Sequence, residues 1–213
     1  KISIISLLFS IAFSSYYNVG DQMSYSHQNQ NHTICYGSSD NNQDGSLSIL
    51  EYNGAYNGGD YHVIMIDMSA SWWGSCWQSI GTIAQIEEYF HENEHVLIFT
   101  NLDDPNQPYS CNQWGQRHEY FGSPAPLLTN DSGYTIFNWF NTGNAFPSVV
   151  FLDHTITVDY KANFTGGFNS AKNRINNLLD DCGVLCSTEP VLGCTDEGAC
   201  NYDEGASDDD GSC

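Results

Sequence analysis

The stretch "VIMIDMSASWWGSCW", Val63 to Trp77, decides the fold. It opens with a short apolar run, which is typical of a β-strand buried on both faces. From Ser75 to about His91 apolar residues recur near helical spacing, and the next run, "HVLIFTN", predicts a second buried strand. Together these segments predict a β-α-β unit.

The segments that follow extend this pattern. Residues 102–123 are rich in Asn, Pro, Gln and Gly, and we expect irregular surface structure there. "YTIFNWF" predicts a short helix, and "PSVVFLD" with "TITVDYKA" predicts a strand pair that turns near Asp153 and His154. A last helix carries its apolar face on Phe168, Ala171, Ile175, Leu178 and Leu179. A crossover followed by a hairpin indicates a mixed sheet with helices on both sides, an α/β fold.

The opening stretch resembles the signature of the thioredoxin-like superfamily, in which a strand carrying Asp precedes Ala-x-Trp-Cys-Gly-Pro-Cys at the start of a helix. The residues that match are Asp67, Ala70, Trp72, Gly74 and Cys76. Trp73 replaces the first cysteine of the signature, and Ser75 replaces its proline. Further on, "AFPSVVFLD" resembles the strand that begins at a cis-proline, so Phe146 and Pro147 are expected to face Cys76.

A closer resemblance is to secreted thioredoxin-like proteins related to thiol-specific antioxidants. It rests on "NVGD", "SLSILEYNG" and "PLLTND" and covers Val19 to Cys182. It implies a thioredoxin-like mixed β-sheet flanked by helices, with an N-terminal hairpin that ends in the strand "SLSILEYNG". We assign residues 15–186 to this domain and residues 187–213 to a small C-terminal module stapled by a disulfide.

The substitution at Trp73 removes the residue that starts dithiol exchange, because in this superfamily the thiolate of the first cysteine attacks the substrate disulfide. The resemblance leaves Cys76 as candidate resolving cysteine and Asp67 as candidate proton acceptor. Cys76 is either a buried thiol or is disulfide-bonded, with Cys35 and Cys111 as candidate partners, or it keeps a redox role with one of them. The peroxidase pattern of the superfamily is absent, since Ser69 and Trp73 stand where that pattern has Pro and Thr or Ser.

The aromatic residues beside Cys76 predict a different use of the same region. In the resembling family an exposed apolar groove there receives extended polypeptide, so a protein or peptide is the expected partner. The residues of this active-site region are Trp72, Trp73, Gly74, Ser75, Phe146 and Pro147. We expect two of the three tryptophans Trp72, Trp73 and Trp77 to pack into the core, since indole rings bury large apolar areas.

Two functions therefore remain. The first is a binding or structural module with a degenerate Cys-x-x-Cys motif and without ordinary dithiol reductase activity. The second is a thiol-disulfide oxidoreductase that works through Cys76 and a distant cysteine.

The amino-acid composition limits which partners this protein can bind. The chain of 213 residues carries 26 Asp and Glu against 5 Lys and Arg, a formal net charge of −21. This charge repels nucleic acid and attracts cations such as Ca²⁺, although it is equally consistent with solubility alone. No cofactor is required by the expected chemistry, and Ca²⁺ is the candidate ligand.

The N-terminus and the cysteines indicate the compartment. Residues 1–14 resemble a secretory signal peptide, because a lysine precedes an apolar run shorter than the ~20 residues that span a bilayer. We expect a secreted, periplasmic or cell-surface protein that is not inserted in the membrane after cleavage. The 8 cysteines suit an oxidising compartment. Sequence alone leaves open the pairing of Cys35, Cys76, Cys111, Cys182, Cys186 and Cys200.

Two acidic stretches are candidate calcium sites. "DNNQDGSLSILE" fits an EF-hand loop, with ligands at Asp40, Asn42, Asp44, Ser46, Ser48 and Glu51. Its flanks do not predict helices, so a plain hairpin with an Asp-Gly turn is the favoured alternative.

The second stretch is the tail "GCTDEGACNYDEGASDDDGSC", which resembles a repeat of secreted and cell-surface proteins of environmental bacteria. A segment so short and polar needs a disulfide to hold its structure, and we expect Cys194 and Cys213 to form it. Its candidate calcium ligands are Asp196, Asp203, Asp208, Asp209 and Asp210. A solvated acidic loop without calcium is the alternative.

Overall fold

The computed structural model describes residues 15–38, 44–187, 192–206 and 208–213. Residues 1–14, for which the sequence predicts a signal peptide, lie outside the described residues. Within the described ranges no helix has the length and apolar character needed to cross a membrane.

A seven-stranded mixed sheet forms the centre of the molecule. Its strands are β1 (His32–Tyr36), β2 (Ser46–Leu47), β3 (Val63–Ala70), β4 (Val96–Asp103), β5 (Leu128–Asn130), β6 (Ser148–Leu152) and β7 (Val158–Ala162). They lie in the order β2-β1-β5-β4-β3-β6-β7. β3 is parallel to β4 and antiparallel to β6, and β6 is antiparallel to β7. This arrangement confirms the predicted mixed α/β sheet, including the crossover, the hairpin and the N-terminal β1-β2 pair.

Helices cover both faces of the sheet. They are α1 (Tyr25–Gln28), α2 (Gly54–Asn57), α3 (Gly74–Phe90), α4 (Cys111–Tyr120), α5 (Thr135–Phe140) and α6 (Phe168–Cys182). α3 and α6 pack on one face, against Val63 and Met65 of β3. α5 packs on the other face, where Ile64, Ile66 and Met68 point. Every residue of β3 is buried because both of its faces are covered, as its apolar run predicts.

The expectation of irregular structure at residues 102–123 is wrong, because α4 occupies half of this segment. A capping box starts the helix: the Ser110 hydroxyl accepts from the Gln113 N–H at 3.1 Å, and the Gln113 side chain accepts from the Ser110 N–H at 2.9 Å. Cys111, Trp114, Gly115 and His118 form its buried face. Four buried residues, one of them a glycine, in a polar segment gave too weak a helical period to recognise.

The strand expected through "SLSILEYNG" is also shorter than predicted. β2 ends at Leu47, and a 3-10 helix follows at Ile49–Tyr52. The chain turns there because the Glu51 carboxylate accepts a hydrogen bond from the Ser48 N–H at 3.0 Å.

The C-terminal region is held by disulfides. Cys182 pairs with Cys186 at the end of α6, and Cys194 pairs with Cys213, the two cysteines chosen as the staple. β8 (Leu192–Gly193), which directly precedes Cys194, pairs in parallel with β9 (Asp208–Asp209), which lies inside the loop closed by Cys194–Cys213. Cys200 is a free, exposed thiol.

Candidate functional site

The candidate site lies where β3 ends and α3 begins. Residues 71–73 connect the two elements, and Trp73 is the N-cap of α3 with extended backbone and no side-chain cap. Trp72 is 48% exposed and Trp73 46% exposed. The expectation that two of the three tryptophans pack into the core is therefore wrong, because Trp72 and Trp73 lie in the connection between β3 and α3, outside both elements.

Cys76 lies in the first turn of α3 and is fully buried. Its Sγ accepts a weak hydrogen bond from the Ala70 N–H at 3.5 Å. Burial, together with the nearby Asp67 and Asp103 carboxylates, raises the pKa of the thiol to about 12, against the lowering effect of the Ala70 hydrogen bond. At neutral pH Cys76 is therefore a thiol that is shielded from solvent, which is the opposite of an attacking nucleophile.

The two cysteines considered as partners of Cys76 are bonded to each other. Cys35 of β1 and Cys111 of α4 form a disulfide, so pairing of Cys76 with either of them is wrong for this state of the protein. Cys76 and Cys111 nevertheless belong to one apolar cluster with Trp114. The thiol and the disulfide share one region of the core.

Asp67 lies on β3, on the face covered by α3. Its carboxylate accepts a hydrogen bond from the Ser69 hydroxyl at 2.7 Å. Burial raises the pKa of Asp67 to about 6, against the lowering effect of that hydrogen bond. A buried pair, His118 and Glu87, lies close by, with 2.9 Å between Nδ1 and Oε2. Asp67 can thus take or give a proton near neutral pH.

Pro147 follows a cis peptide bond, as its position in the resembling motif predicts, and it immediately precedes β6. Asp67 and Pro147 line a pocket of about 520 Å³ with the first turns of α3, including Ser75. Gly74 also lies in this turn, as the first residue of α3. Of the residues predicted for the active-site region, Ser75 and Pro147 therefore share this pocket.

On the other side of Phe146 lies a groove of about 540 Å³, which we call the aromatic groove. It is lined by Trp72, Trp73, Gly133, Tyr134, Phe137, Asn138, Asn144, Ala145 and Phe146. The sequence analysis found Trp72, Trp73 and Phe146 but missed the part contributed by α5 and its flanks. The aromatic run "YTIFNWF" was a signal for it, although its helical period indicates only core packing.

Three carboxylates that the sequence did not single out, Asp103, Asp104 and Asp131, lie close to one another, and Asp104 contacts Tyr134 of the groove lining. Asp103 is fully buried, and neither of its oxygens has a hydrogen-bond partner. Burial, together with Asp131 and Asp104, raises its pKa to about 8. The Tyr134 hydroxyl donates to Asp104 Oδ2 at 3.0 Å.

The candidate calcium ligands of the first acidic stretch lie only partly within the described residues, since Asp40 and Asn42 fall outside them. Asp44 accepts from the Ser46 N–H at 2.9 Å. Glu51 is engaged with Ser48 in the 3-10 helix.

In the tail, Asp196, Asp203, Asp209 and Asp210 each accept from the amide two residues on. Asp208 lies in β9. Over the part of the chain that the structure describes, His, Cys, Asp and Glu do not form a group of three placed to hold a metal ion. Calcium binding at either stretch stays a prediction.

Known structures with a similar fold are thioredoxin-like. A Bacteroides thetaiotaomicron protein, proposed to be a protein disulfide isomerase, matches with a TM-score of 0.57 and 18% identity over 79% of this chain and 94% of its own. A mutant of PrxQ from Xylella fastidiosa gives 0.52 and 13% over 79% and 99%. The exposed lipoprotein thioredoxin of Streptococcus pneumoniae gives 0.50 and 11% over 70% and 98%. These likenesses establish the fold.

No protein-family model matches the chain, and no curated protein matches it.

Proposed function

We propose that the chain is a binding module that takes extended polypeptide into the aromatic groove and has no ordinary dithiol reductase activity. One observation carries the proposal: the exposed indole of Trp73 stands where the signature has its attacking cysteine, while the thiol of Cys76 is fully buried. Attack on a disulfide requires an accessible thiolate. With a pKa of about 12, Cys76 at pH 7 is ionised in only about one molecule in 10⁵.

The groove has the properties that peptide binding requires. Half-exposed aromatic side chains offer apolar area that a bound segment would remove from water. Asn138 and Asn144 at its lining provide amides that can pair with a peptide backbone.

A second candidate function is thiol-disulfide exchange through Cys76 and a distant cysteine. The names of the similar structures support it better than they support a non-redox module. In such a reaction the Cys76 thiolate would attack one sulfur of the Cys35–Cys111 disulfide, form a bond to it and release the other sulfur as a thiolate. Asp67 would take the proton from Cys76. The shared apolar cluster favours this route, whereas the raised thiol pKa opposes it.

An insulin-reduction assay on the wild type and on Cys76→Ser, with disulfide mapping by mass spectrometry, separates the two functions. We expect no turnover by either form, and a map with free Cys76 and Cys200. Turnover by the wild type that is lost in Cys76→Ser would refute the binding module and establish the redox reaction.

We also propose that the protein acts outside the cytoplasm. Support comes from the three disulfides in the described residues, which persist in oxidising compartments. One structure of similar fold is an exposed lipoprotein, which agrees with this location.

A further inference from the structure

The rings of the aromatic groove meet at steep angles. Trp72 is roughly perpendicular to Trp73, at 74° with centroids 5.8 Å apart, and to Phe146, at 81° and 6.1 Å. Phe146 stacks on Phe137 at 4.0 Å, and Phe137 meets Tyr134 edge to face. Perpendicular aromatic faces around a common space are the arrangement that holds organic cations.

A carboxylate lies next to Tyr134, one of the residues that line the groove. The phenol of Tyr134 donates to Asp104, and this hydrogen bond raises the pKa of the phenol, which stays neutral. A phenol that donates to a carboxylate has a more electron-rich ring, which attracts a cation more strongly. The net charge of −21 acts in the same direction over a longer distance.

No positive side chain of the described part of the chain fills this space. Of the 5 lysines and arginines, Lys1 lies outside the described residues. The remaining ones are engaged elsewhere: Arg117 over Trp77, Lys161 at Ser15 and the Tyr17 carbonyl, Lys172 over Tyr89, and Arg174 at Asp159. Three of these four cations already lie over an aromatic ring, so the aromatic groove stands out as a large exposed ring cluster without one.

One feature opposes a cation, namely the N-terminus of α3 at Trp73. A helix N-terminus carries about half a positive charge, which is smaller than the full charge of the Asp104 carboxylate. The N-terminus of α5 is neutralised, because Asp131 accepts from the Thr135 and Ile136 amides at 2.7 and 2.9 Å. The net electrostatic potential at the groove is therefore negative.

We infer that the aromatic groove selects a lysine side chain of the bound polypeptide, held between the Trp72, Trp73 and Phe146 rings, with the Asp104 carboxylate next to Tyr134 at the groove wall. This inference rests on the proposed peptide-binding function and specifies its ligand. The ammonium group of that lysine enters the ring cluster. The partner is thus an extended, basic segment of a protein.

The test compares two capped decapeptides built from Ser, Gly and three lysines, one unmodified and one with every lysine Nε-acetylated. Acetylation removes the charge and keeps the backbone. Tryptophan fluorescence and calorimetric titration in 0.15 M NaCl measure both affinities. We expect the lysine peptide to bind about fivefold to tenfold more tightly than the acetylated peptide, the range of one partly desolvated cation-π contact.

Variants assign this difference to the groove. Asp104→Asn keeps the size of a residue whose φ is +47°, a value that Asn tolerates, and it should remove a large part of the preference for lysine. Asp180→Asn, an exposed site on α6 at the opposite face, makes the same charge change and should leave the preference intact. Trp72→Ala should weaken binding of both peptides, whereas Tyr120→Ala, which removes an 80% exposed ring on α4, should not.

The outcomes separate the two proposals. Absence of binding by either peptide overturns the peptide-binding function, and the inference with it. Equal binding of both peptides, sensitive to Trp72→Ala, leaves the binding function standing and overturns the lysine selectivity. An equal loss of preference in Asp104→Asn and Asp180→Asn attributes it to overall charge and also overturns the selectivity of the groove.

Discussion

Cys76 and Cys200 are both free thiols, but only Cys200 is exposed. We predict that iodoacetamide at pH 8 alkylates Cys200 in the native protein within minutes and reaches Cys76 only in guanidinium, because alkylation requires an accessible thiolate. Mass spectrometry of tryptic peptides measures both sites. Cys200→Ser serves as the control and should take up no label while folded, and native labelling of Cys76 would contradict its burial.

Asp103 gives a second prediction, on the pH dependence of stability. Its folded-state pKa of about 8 lies above the value of about 3.9 expected in the unfolded chain. Between these two pH values Asp103 is protonated in the folded state but ionised in the unfolded state. The free energy of unfolding therefore falls progressively as the pH rises from about 4 to about 8. Since one pKa unit corresponds to about 1.4 kcal/mol, the cost at pH 8 is on the order of a few kcal/mol.

Asp103→Asn removes this ionisation, so it should raise the melting temperature at pH 8 more than at pH 4. The amide also lacks a partner, which offsets part of the gain. Thermal melts followed by circular dichroism measure the effect, and Asp180→Asn controls for the change in net charge. If Asp103→Asn changes the melting temperature by the same amount at both pH values, ionisation of the buried Asp103 carboxyl does not destabilise the fold.

At the residue scale, the sequence predicted which residues form the site but not how exposed their side chains are. The alignment selected Asp67 and Pro147, which line one pocket, and Cys76, which packs in a neighbouring apolar cluster. It could not show that Trp72 and Trp73 line a groove with Tyr134, because residues so distant in sequence come together only in the folded chain.

At the element scale, the Cys35–Cys111 disulfide ties α4 to β1. It spans 76 residues, whereas Cys182–Cys186 spans 4. Because the loss of chain entropy grows with loop length, the first bond should contribute about 4 kcal/mol to the free energy of unfolding and the second about 2 kcal/mol. Guanidinium unfolding of the two double Cys→Ala variants measures the difference, and equal destabilisation would contradict the loop-length argument.

Elements with a strong hydrophobic period were predictable, and elements held by local polar contacts were not. β3 and α3 appear close to their predicted bounds because burial selects their apolar residues. α4 and the 3-10 helix Ile49–Tyr52 depend on side chains that bond to the backbone near their starts. Such bonds are visible in sequence only as isolated polar residues three positions apart.

At the scale of the whole molecule, the fold and the charge act separately. The mixed sheet and the cis-proline were predicted from apolar pattern and motif, and the likeness to thioredoxin-like structures persists at 18% identity. The net charge of −21 does not select this fold, but it sets the conditions under which the fold is stable.

The last prediction concerns this charge. Self-repulsion among 26 acidic residues should weaken as the Debye length falls from about 30 Å at 0.01 M salt to about 10 Å at 0.1 M, so NaCl should raise the melting temperature over that range.

CaCl₂ and MgCl₂ at matched ionic strength then separate charge screening from metal binding. If the acidic tail binds calcium as the sequence predicts, Ca²⁺ raises the melting temperature beyond Mg²⁺, and Asp203→Asn removes the excess. Equal shifts with both metals would contradict calcium sites in both acidic stretches, and a melting temperature that does not respond to NaCl would contradict the role of self-repulsion.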